Sequence, residues 1–257
     1  MKEDKIIKII EKDPYYIKLI ENPSEEMLLA AVRRNGIILK YFREVSETIK
    51  WEALKSNVWA IEYIENPSEA MCSYAVEKAW NTLGFIKEPS EATARKAASI
   101  KGWAIQYVQN PSEELQSIAV NKDWDSIQYI REPSEDIQIL AVEKYFAAIK
   151  YIKNPSLKVK RKAIAENAEA VIYLKAVSKD EEKIFISENI DVVKYLNIDL
   201  KLVEGVVKEK LQEEKLDKDY IIKFIKCEAV KINKVKFIYS YGSKEAKKLL
   251  VDYKLSY

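Results

Sequence analysis

The chain has 257 residues, of which 48% are hydrophobic and 33% are charged, so it can bury a core and stay in solution. It contains no histidine, two cysteines and five scattered glycines. Without histidine there is no Ser-His-Asp or Cys-His nucleophile pair and no histidine-ligated zinc, and two thiols cannot complete a four-cysteine site. The glycines fit neither a GxGxxG fingerprint nor a phosphate loop. The composition therefore predicts a protein that is not an enzyme and that holds no metal or cofactor.

Three features predict a cytoplasmic location and no membrane association. Residues 1–11 interrupt every apolar run with acids or lysines, which is unlike a secretory signal. No segment approaches the roughly 18 consecutive apolar residues of a membrane span. Cys72 and Cys227 show no disulfide pattern, which favours a reducing compartment, and their helical context predicts two buried small apolar side chains.

The first elements in chain order belong to residues 1–22. Asp13-Pro14 followed by Ile17 and Ile20 matches only the second half of a repeat that is clearer further along the chain. Terminal repeats of a stacked array are atypical because one side faces water. We therefore predict that residues 1–22 form an N-terminal capping unit.

An internal repeat of constant length dominates the next part of the chain. Prolines occur at Pro23, Pro67, Pro89, Pro111, Pro133 and Pro155, so that their positions differ by 22 or by its double. Val45 and Val177 occupy the two places where this spacing calls for a proline that is missing. The pattern predicts eight repeats without insertion over residues 23–198.

Two further columns keep the same register. The ninth position of the repeats is Ala31, Ala53, Ala75, Ala97, Ala119, Ala141 and Ala163, and Phe185 breaks this column. The nineteenth position is Tyr41, Tyr63, Phe85, Tyr107, Tyr129, Tyr151, Tyr173 and Tyr195. We interpret the alanines as points of close helix approach and the tyrosines as packing residues whose hydroxyls reach an edge.

Each repeat is predicted to contain two helices. Proline suits the first helical position, asparagine before it is a good N-cap, and the glutamate two residues later can bond back to the cap. A second helix then ends before the next proline, so each helix has about eight to ten residues. Neither helix can bury its apolar face alone, which predicts an all-α, right-handed α-solenoid. A leucine-rich repeat has a similar period but needs a Leu-x-Leu strand and an asparagine ladder that are missing.

Beyond residue 198 the sequence no longer follows the 22-residue repeat. Asp217 is a candidate N-cap for a helix through Cys227, and two more helices are expected near residues 235–241 and 243–253. Residues 199–257 are therefore predicted to form a divergent helical C-terminal cap.

The repeat motif resembles a known family. The recurring Asn-Pro-Ser-Glu string, the Ala-Val pair and the segment from Trp103 to Tyr107 are similar to a short helical repeat of bacterial and phage proteins that is known only as a domain of unknown function. The similarity runs from Pro23 to Ile198. It implies a helical array and a role in host–virus conflict, and it supplies no catalytic residues. Leu157 and Lys179 depart from the glutamate column in the last two repeats.

Tryptophans provide one candidate binding surface. Trp59, Trp80, Trp103 and Trp124 fall at two adjacent positions of the repeat, at the start of the predicted second helix. They either pack between repeats or form an exposed aromatic stripe of the kind that dominates protein interfaces.

Basic residues provide a second candidate surface. Residues 1–155 carry 21 Lys and Arg against 24 Asp and Glu, whereas residues 156–257 carry 22 against 17. The change begins at a basic run formed by Lys158, Lys160, Arg161 and Lys162. This run is either solvated helix surface or an electropositive end that binds an acidic protein or nucleic acid.

The leading functional hypothesis is a non-enzymatic solenoid that binds another protein, because repeat columns used for packing leave the other positions free for recognition. The resemblance narrows it to a phage-encoded inhibitor of a bacterial immune protein. The alternative is a nucleic-acid-binding repeat protein that uses the basic C-terminal end. Arg161 is the only arginine after residue 155, so the arginine forks that favour phosphate and base contacts are scarce there.

Overall fold

The computed structural model describes residues 3–255, and all the regular structure within these residues is helical. The chain forms two compact units, Met1–Arg131 and Glu132–Tyr257. In both units, consecutive helix pairs recur with the period of the sequence repeat and pack against their neighbours. The predicted all-α helical-repeat fold of the solenoid type is therefore confirmed.

The first unit alternates α-helices of ten residues with 3₁₀ helices of six residues. The α-helices are α1 (Glu3–Lys12), α2 (Glu25–Arg34), α3 (Glu47–Ser56), α4 (Glu69–Lys78), α5 (Glu91–Ile100) and α6 (Glu113–Lys122). The 3₁₀ helices are Pro14–Leu19, Gly36–Tyr41, Val58–Tyr63, Trp80–Phe85, Gly102–Tyr107 and Trp124–Tyr129.

The second unit continues the same alternation and then changes to α-helices alone. Its α-helices are α7 (Glu135–Lys144), α8 (Leu157–Glu166), α9 (Lys179–Glu188), α10 (Leu200–Leu211), α11 (Lys218–Lys226), α12 (Lys234–Tyr241) and α13 (Lys244–Leu255). Its 3₁₀ helices are Phe146–Tyr151, Ala168–Tyr173 and Ile190–Lys194. The helices predicted after Asp217 and near residues 235–241 and 243–253 are confirmed, and Asp217 is the N-cap of α11.

Serine, and not asparagine, caps the α-helix of each repeat. The Ser112 hydroxyl accepts a hydrogen bond from the amide of Leu115 at 3.1 Å, and the helix begins at Glu113. The prediction that the helix starts at proline with an asparagine cap was wrong by two residues. Pro111 precedes the cap, where its fixed φ restrains the approach to the helix. Asn66 has a φ of 50°, a conformation that asparagine tolerates better than most residues.

The second helix of the repeat is shorter and tighter than predicted. Asn57 ends α3 through its amide, which donates to the Ala53 carbonyl at 2.8 Å, and its side chain accepts from the amide of Trp59 at 3.0 Å. The six residues from Val58 to Tyr63 then form a 3₁₀ helix. Because a 3₁₀ helix rises about 2.0 Å per residue and an α-helix about 1.5 Å, six and ten residues give segments of similar length. This difference lets a helix pair and its turns fit within one short repeat.

The N-terminal residues form a complete repeat. Helix α1 packs against α2 and against Pro14–Leu19, and the Ser24 hydroxyl donates to the Glu3 carboxylate. The expectation that this region matches only the second half of the repeat is therefore corrected: residues 3–12 are the counterpart of the α-helix. Their sequence lacks the Asn-Pro-Ser string that marks the later helices.

Two alanines of the ninth repeat position, Ala53 and Ala119, lie where helices of neighbouring repeats approach closely. Ala119 is completely buried, and a Cβ atom built on Gly102 would lie 2.3 Å from the Ala119 carbonyl oxygen. The 3₁₀ helix Gly102–Tyr107 thus contacts the backbone of α6 in the following repeat. At this contact the glycine is required, because a side chain at position 102 would collide with the backbone of α6.

In several repeats the glutamate that begins the α-helix connects successive repeats. Its carboxylate accepts a hydrogen bond from the capping serine of the next repeat: Ser46 to Glu25 at 2.5 Å, Ser90 to Glu69 at 2.7 Å, Ser112 to Glu91 at 2.6 Å and Ser156 to Glu135 at 2.6 Å. The predicted bond from this glutamate back to its own cap is replaced by this inter-repeat contact. This series of serine–glutamate hydrogen bonds, here called the ladder, ends at Leu157, which replaces the glutamate. Ser178 instead forms a capping box with Glu181.

We expect acid to weaken this ladder. The hydroxyls of Ser90 and Thr93 hold the pKa of the Glu69 carboxyl below its ordinary value. A carboxyl with a lower pKa in the folded chain stabilises the fold above its unfolded pKa of about 4.3, and this stabilisation is lost as the pH falls through the folded value. Urea unfolding of the wild type and Glu69→Gln at neutral and acidic pH measures the effect.

The variant should lose less stability on acidification than the wild type, because its amide does not titrate. Glu65→Gln is the matched control, since Glu65 is an exposed glutamate in the preceding loop. Equal acid-induced losses in the wild type and Glu69→Gln would contradict the proposed contribution of the ladder.

Candidate protein-binding surface

An aromatic ridge runs along the 3₁₀ helices of the first unit. It consists of Trp59, Trp80, Phe85, Trp103, Tyr107 and Tyr129. Neighbouring 3₁₀ helices pack against each other, so side chains at equivalent positions are adjacent from one repeat to the next. The ridge therefore combines the tryptophan and tyrosine columns of the sequence in one surface.

Each tryptophan of the ridge packs against an aromatic ring of the following repeat. The ring centroids are 5.7 Å apart for Trp59 and Phe85, 6.3 Å for Trp80 and Tyr107, and 6.1 Å for Trp103 and Tyr129. Tyr107 also lies against Gly84, because a Cβ atom built on this glycine would be 2.8 Å from the tyrosine ring. These contacts order the rings without burying them completely.

The ridge remains accessible to a partner. The exposed fractions are 38% for Trp59, 42% for Phe85, 38% for Tyr107 and 36% for Tyr129. Trp80 and Trp103 are half-buried. The indole nitrogen of Trp103 donates to Asp125 at 2.8 Å, and the Lys101 ammonium lies 4.6 Å from its ring centroid, so this side chain is held from two sides.

The tryptophans are partly packed between repeats and partly exposed, so each of the two interpretations applies to some of them. Trp59 is exposed, whereas Trp80, Trp103 and Trp124 are half-buried at the start of their 3₁₀ helices. The tyrosine column predicts packing residues with their hydroxyls at an edge, but Phe85, Tyr107 and Tyr129 are more exposed than this interpretation implies. Their regular spacing was the available signal, but it did not show which face of each ring is covered.

The basic run of the second unit is divided between two faces of α8. Lys158, Arg161 and Lys162 line a shallow groove together with Glu143 and Glu188, whereas Lys160 lines a different cleft. Lys160 is two residues from both Lys158 and Lys162, which places it on nearly the opposite side of a helix with 3.6 residues per turn. The run is not one continuous positive surface.

Glutamates of the same unit neutralise much of this run. Lys158 pairs with Glu135 at 3.1 Å, Lys160 with Glu181 at 2.7 Å, Arg161 with Glu188 at 2.6 Å, and Lys162 with Glu143 at 2.8 Å. The Lys160 ammonium lowers the pKa of the Glu181 carboxyl. Reversing the four charges would therefore place glutamates against glutamates and weaken the fold as well as any binding, so it is a poor test of function.

The groups that could support other chemistry are few. Cys72 and Cys227 are buried, as predicted, and burial raises the pKa of both thiols, which disfavours the reactive thiolate. Residues 3–255 contain no cluster of three or more His, Cys, Asp or Glu side chains suited to a metal ion. None of the helices in this range is long and apolar enough to cross a membrane.

The chain is an all-α helical-repeat protein. Comparison with known proteins does not assign it to a narrower class. No family model, curated protein or solved structure gives a significant match. The similarity to the bacterial and phage repeat remains a prediction from the repeat motif.

Proposed function

We propose that this chain is a non-enzymatic helical-repeat protein that binds another protein through the aromatic ridge. The observation that carries the proposal is the exposure of Trp59, Phe85, Tyr107 and Tyr129 on successive 3₁₀ helices of one unit. Tryptophan and tyrosine are enriched among the residues that dominate the free energy of protein binding.

The ridge is organised before a partner arrives. Ring contacts between repeats restrict the side-chain rotamers of Trp59, Trp80 and Trp103. Ordering a free side chain at an interface costs about 0.5–1.5 kcal/mol, so rings that are already held lose less entropy on binding. This is a favourable arrangement for a recognition surface.

The charge of the first unit favours a protein partner over nucleic acid. Aromatic rings can also stack on bases, but nucleic-acid surfaces combine them with a positively charged groove. Residues 1–131 carry 18 Lys and Arg against 20 Asp and Glu. The unit that bears the ridge therefore lacks the net positive charge expected of a nucleic-acid-binding module.

A comparative pull-down tests the proposal. The wild type, the ridge variant Trp59→Ala/Phe85→Ala and the control Leu19→Ala/Ile100→Ala serve as baits in nuclease-treated bacterial lysate. Leu19 and Ile100 are exposed apolar residues of the same unit outside the ridge. We expect at least one protein to be captured by the wild type and the control and to be reduced about tenfold or more with the ridge variant, as expected for loss of an interface anchor.

Circular dichroism establishes that the three baits are equally folded. Equal capture by the ridge variant and the wild type would refute binding through the ridge. Parallel pull-downs use untreated lysate, and proteins recovered there but not after nuclease treatment would favour the nucleic-acid alternative.

The narrower proposal that the partner is a bacterial immune protein, and that the chain is a phage-encoded inhibitor, is supported only by the resemblance of the repeat motif. The identity of the ridge-dependent protein tests it directly. A captured protein with no role in defence would refute this narrower proposal and leave protein binding by the ridge intact.

A further inference from the structure

A cleft in the second unit is lined by four lysines. This lysine groove has a volume of about 330 Å³ and is bordered by Lys150, Lys153, Lys160, Lys175 and the half-buried Tyr173. None of the residues that line it is an aspartate or a glutamate. It contains none of the residues of the aromatic ridge.

The repeat brings these lysines together from three segments. Lys150 belongs to the 3₁₀ helix Phe146–Tyr151, and Lys153 lies in the turn that follows it. Lys175 occupies the same position as Lys153 in the next repeat, while Lys160 reaches the cleft from α8. Consecutive 3₁₀ helices pack side by side, so the stacking of repeats places lysines on both sides of the cleft.

The four ammonium groups differ in how far the chain already neutralises them. Lys160 pairs with Glu181 at 2.7 Å, and the Lys150 ammonium lies 4.7 Å from the ring centroid of Tyr151. Lys153 and Lys175 are exposed and form no ion pair with any residue between 3 and 255. The cleft therefore keeps an excess of positive charge in the folded protein.

An equivalent cleft in the first unit shows that the lysines are not required by the fold. It has a volume of about 500 Å³ and is built from the same repeat positions, but its Lys40, Arg43 and Lys87 alternate with Glu62 and Glu65. Residues at these repeat positions thus line clefts in both units, and the charges are mixed in the first cleft but only positive in the second.

We propose that the lysine groove binds a small anion that carries two or more adjacent phosphate groups. Lysine binds phosphate as a compact point charge, and a cluster of lysines attracts a multiply charged anion without the planar geometry that an arginine fork requires. Several ammonium groups around one cleft suit a ligand with several negative charges. The volume of about 330 Å³ lies at the lower end of the range for small-molecule sites, roughly 300–1,000 Å³.

Isothermal titration calorimetry of the full-length protein with tripolyphosphate, at about 0.1 M salt to limit screening, tests the proposal. The variant Lys153→Gln/Lys175→Gln removes the two lysines without ion pairs. Its matched control, Arg43→Gln/Lys87→Gln, changes the same repeat position in the mixed-charge cleft. We expect the wild type and the control to bind alike, and the lysine variant to bind about tenfold more weakly or worse.

Titrations with other ligands test which class of anion the lysine groove binds. Orthophosphate should bind at least about tenfold more weakly than tripolyphosphate, because it presents a single phosphate to the cleft. Absence of tripolyphosphate binding to the wild type, or equal weakening in both double variants, would overturn the proposal. A single-stranded oligonucleotide or an Asp/Glu peptide that binds more tightly than tripolyphosphate would overturn it in favour of a macromolecular partner. The variant Trp59→Ala/Phe85→Ala should retain tripolyphosphate binding, which separates this site from the ridge.

Discussion

Replacing Phe185 by alanine is expected to lower the free energy of unfolding by about 3–5 kcal/mol, the usual cost of emptying the site of a buried phenylalanine. Phe185 is completely buried on α9, which packs against α8, Ile190–Lys194 and α10. It occupies the repeat position that is alanine in the seven preceding repeats. Alanine, which is native at this position in those repeats, is therefore expected to leave a cavity between α9 and its neighbours.

Urea unfolding followed by circular dichroism measures this loss. Tyr195→Ala is the control, since Tyr195 lies in the same repeat but is 43% exposed, and its loss should stay below about 1 kcal/mol. If the two variants lost similar amounts of stability, Phe185 would not be the residue that fills the space between α9 and its neighbours.

The opposite substitution is expected to destabilise a regular repeat. Ala119→Leu should cost about 1–3 kcal/mol, because an added side chain overpacks a close contact. Ala119 is completely buried where Gly102 approaches its carbonyl oxygen. The isobutyl group must displace its buried neighbours or adopt a strained rotamer. Denaturation midpoints of the variant and the wild type provide the measurement.

Lys122→Leu is the appropriate control, because Lys122 is exposed on the same helix and surface changes usually stay within about 0.5 kcal/mol. Gln116, which looks exposed from the sequence pattern, is unsuitable. Its side chain is half-buried, and its amide donates to the Pro111 carbonyl at 3.0 Å. Equal midpoints for Ala119→Leu and Lys122→Leu would show that the alanine column is not a site of close packing.

The two proposed binding sites arise from different uses of one repeat. The ridge uses positions where aromatic side chains must contact the next repeat, so packing and recognition share the same rings. The lysine groove takes Lys153 and Lys175 from loop positions that packing leaves free, since the same repeat position carries Arg43 and Glu65 in the cleft of the first unit. Sequence changes at the loop positions can therefore alter binding with little effect on the fold.

The repeat and its helical class could be predicted from the sequence, because they depend on periodic local signals. Pro111 and Ser112 mark the start of a helix, and Ala119 recurs wherever two backbones must approach closely. The start of the helix was misplaced by two residues, since asparagine and serine are both good N-caps and the sequence alone does not decide between them. The 3₁₀ form of the second helix was also missed, because its apolar spacing resembles that of a short α-helix.

The sites depended on contacts between residues that are distant in the sequence. Trp59 and Trp103 look equivalent along the chain, but Asp125 and Lys101 hold only Trp103. A run of four basic residues predicts a positive patch, yet ion pairs to glutamates from neighbouring helices offset its charge. No sequence pattern indicates that Lys153 and Lys175 belong to one site, because only the stacking of repeats places them on one cleft. Local sequence patterns determine where helices begin and which of their faces are apolar. The exposure of a ring and the net charge of a surface depend instead on the neighbours that folding brings within a few ångströms.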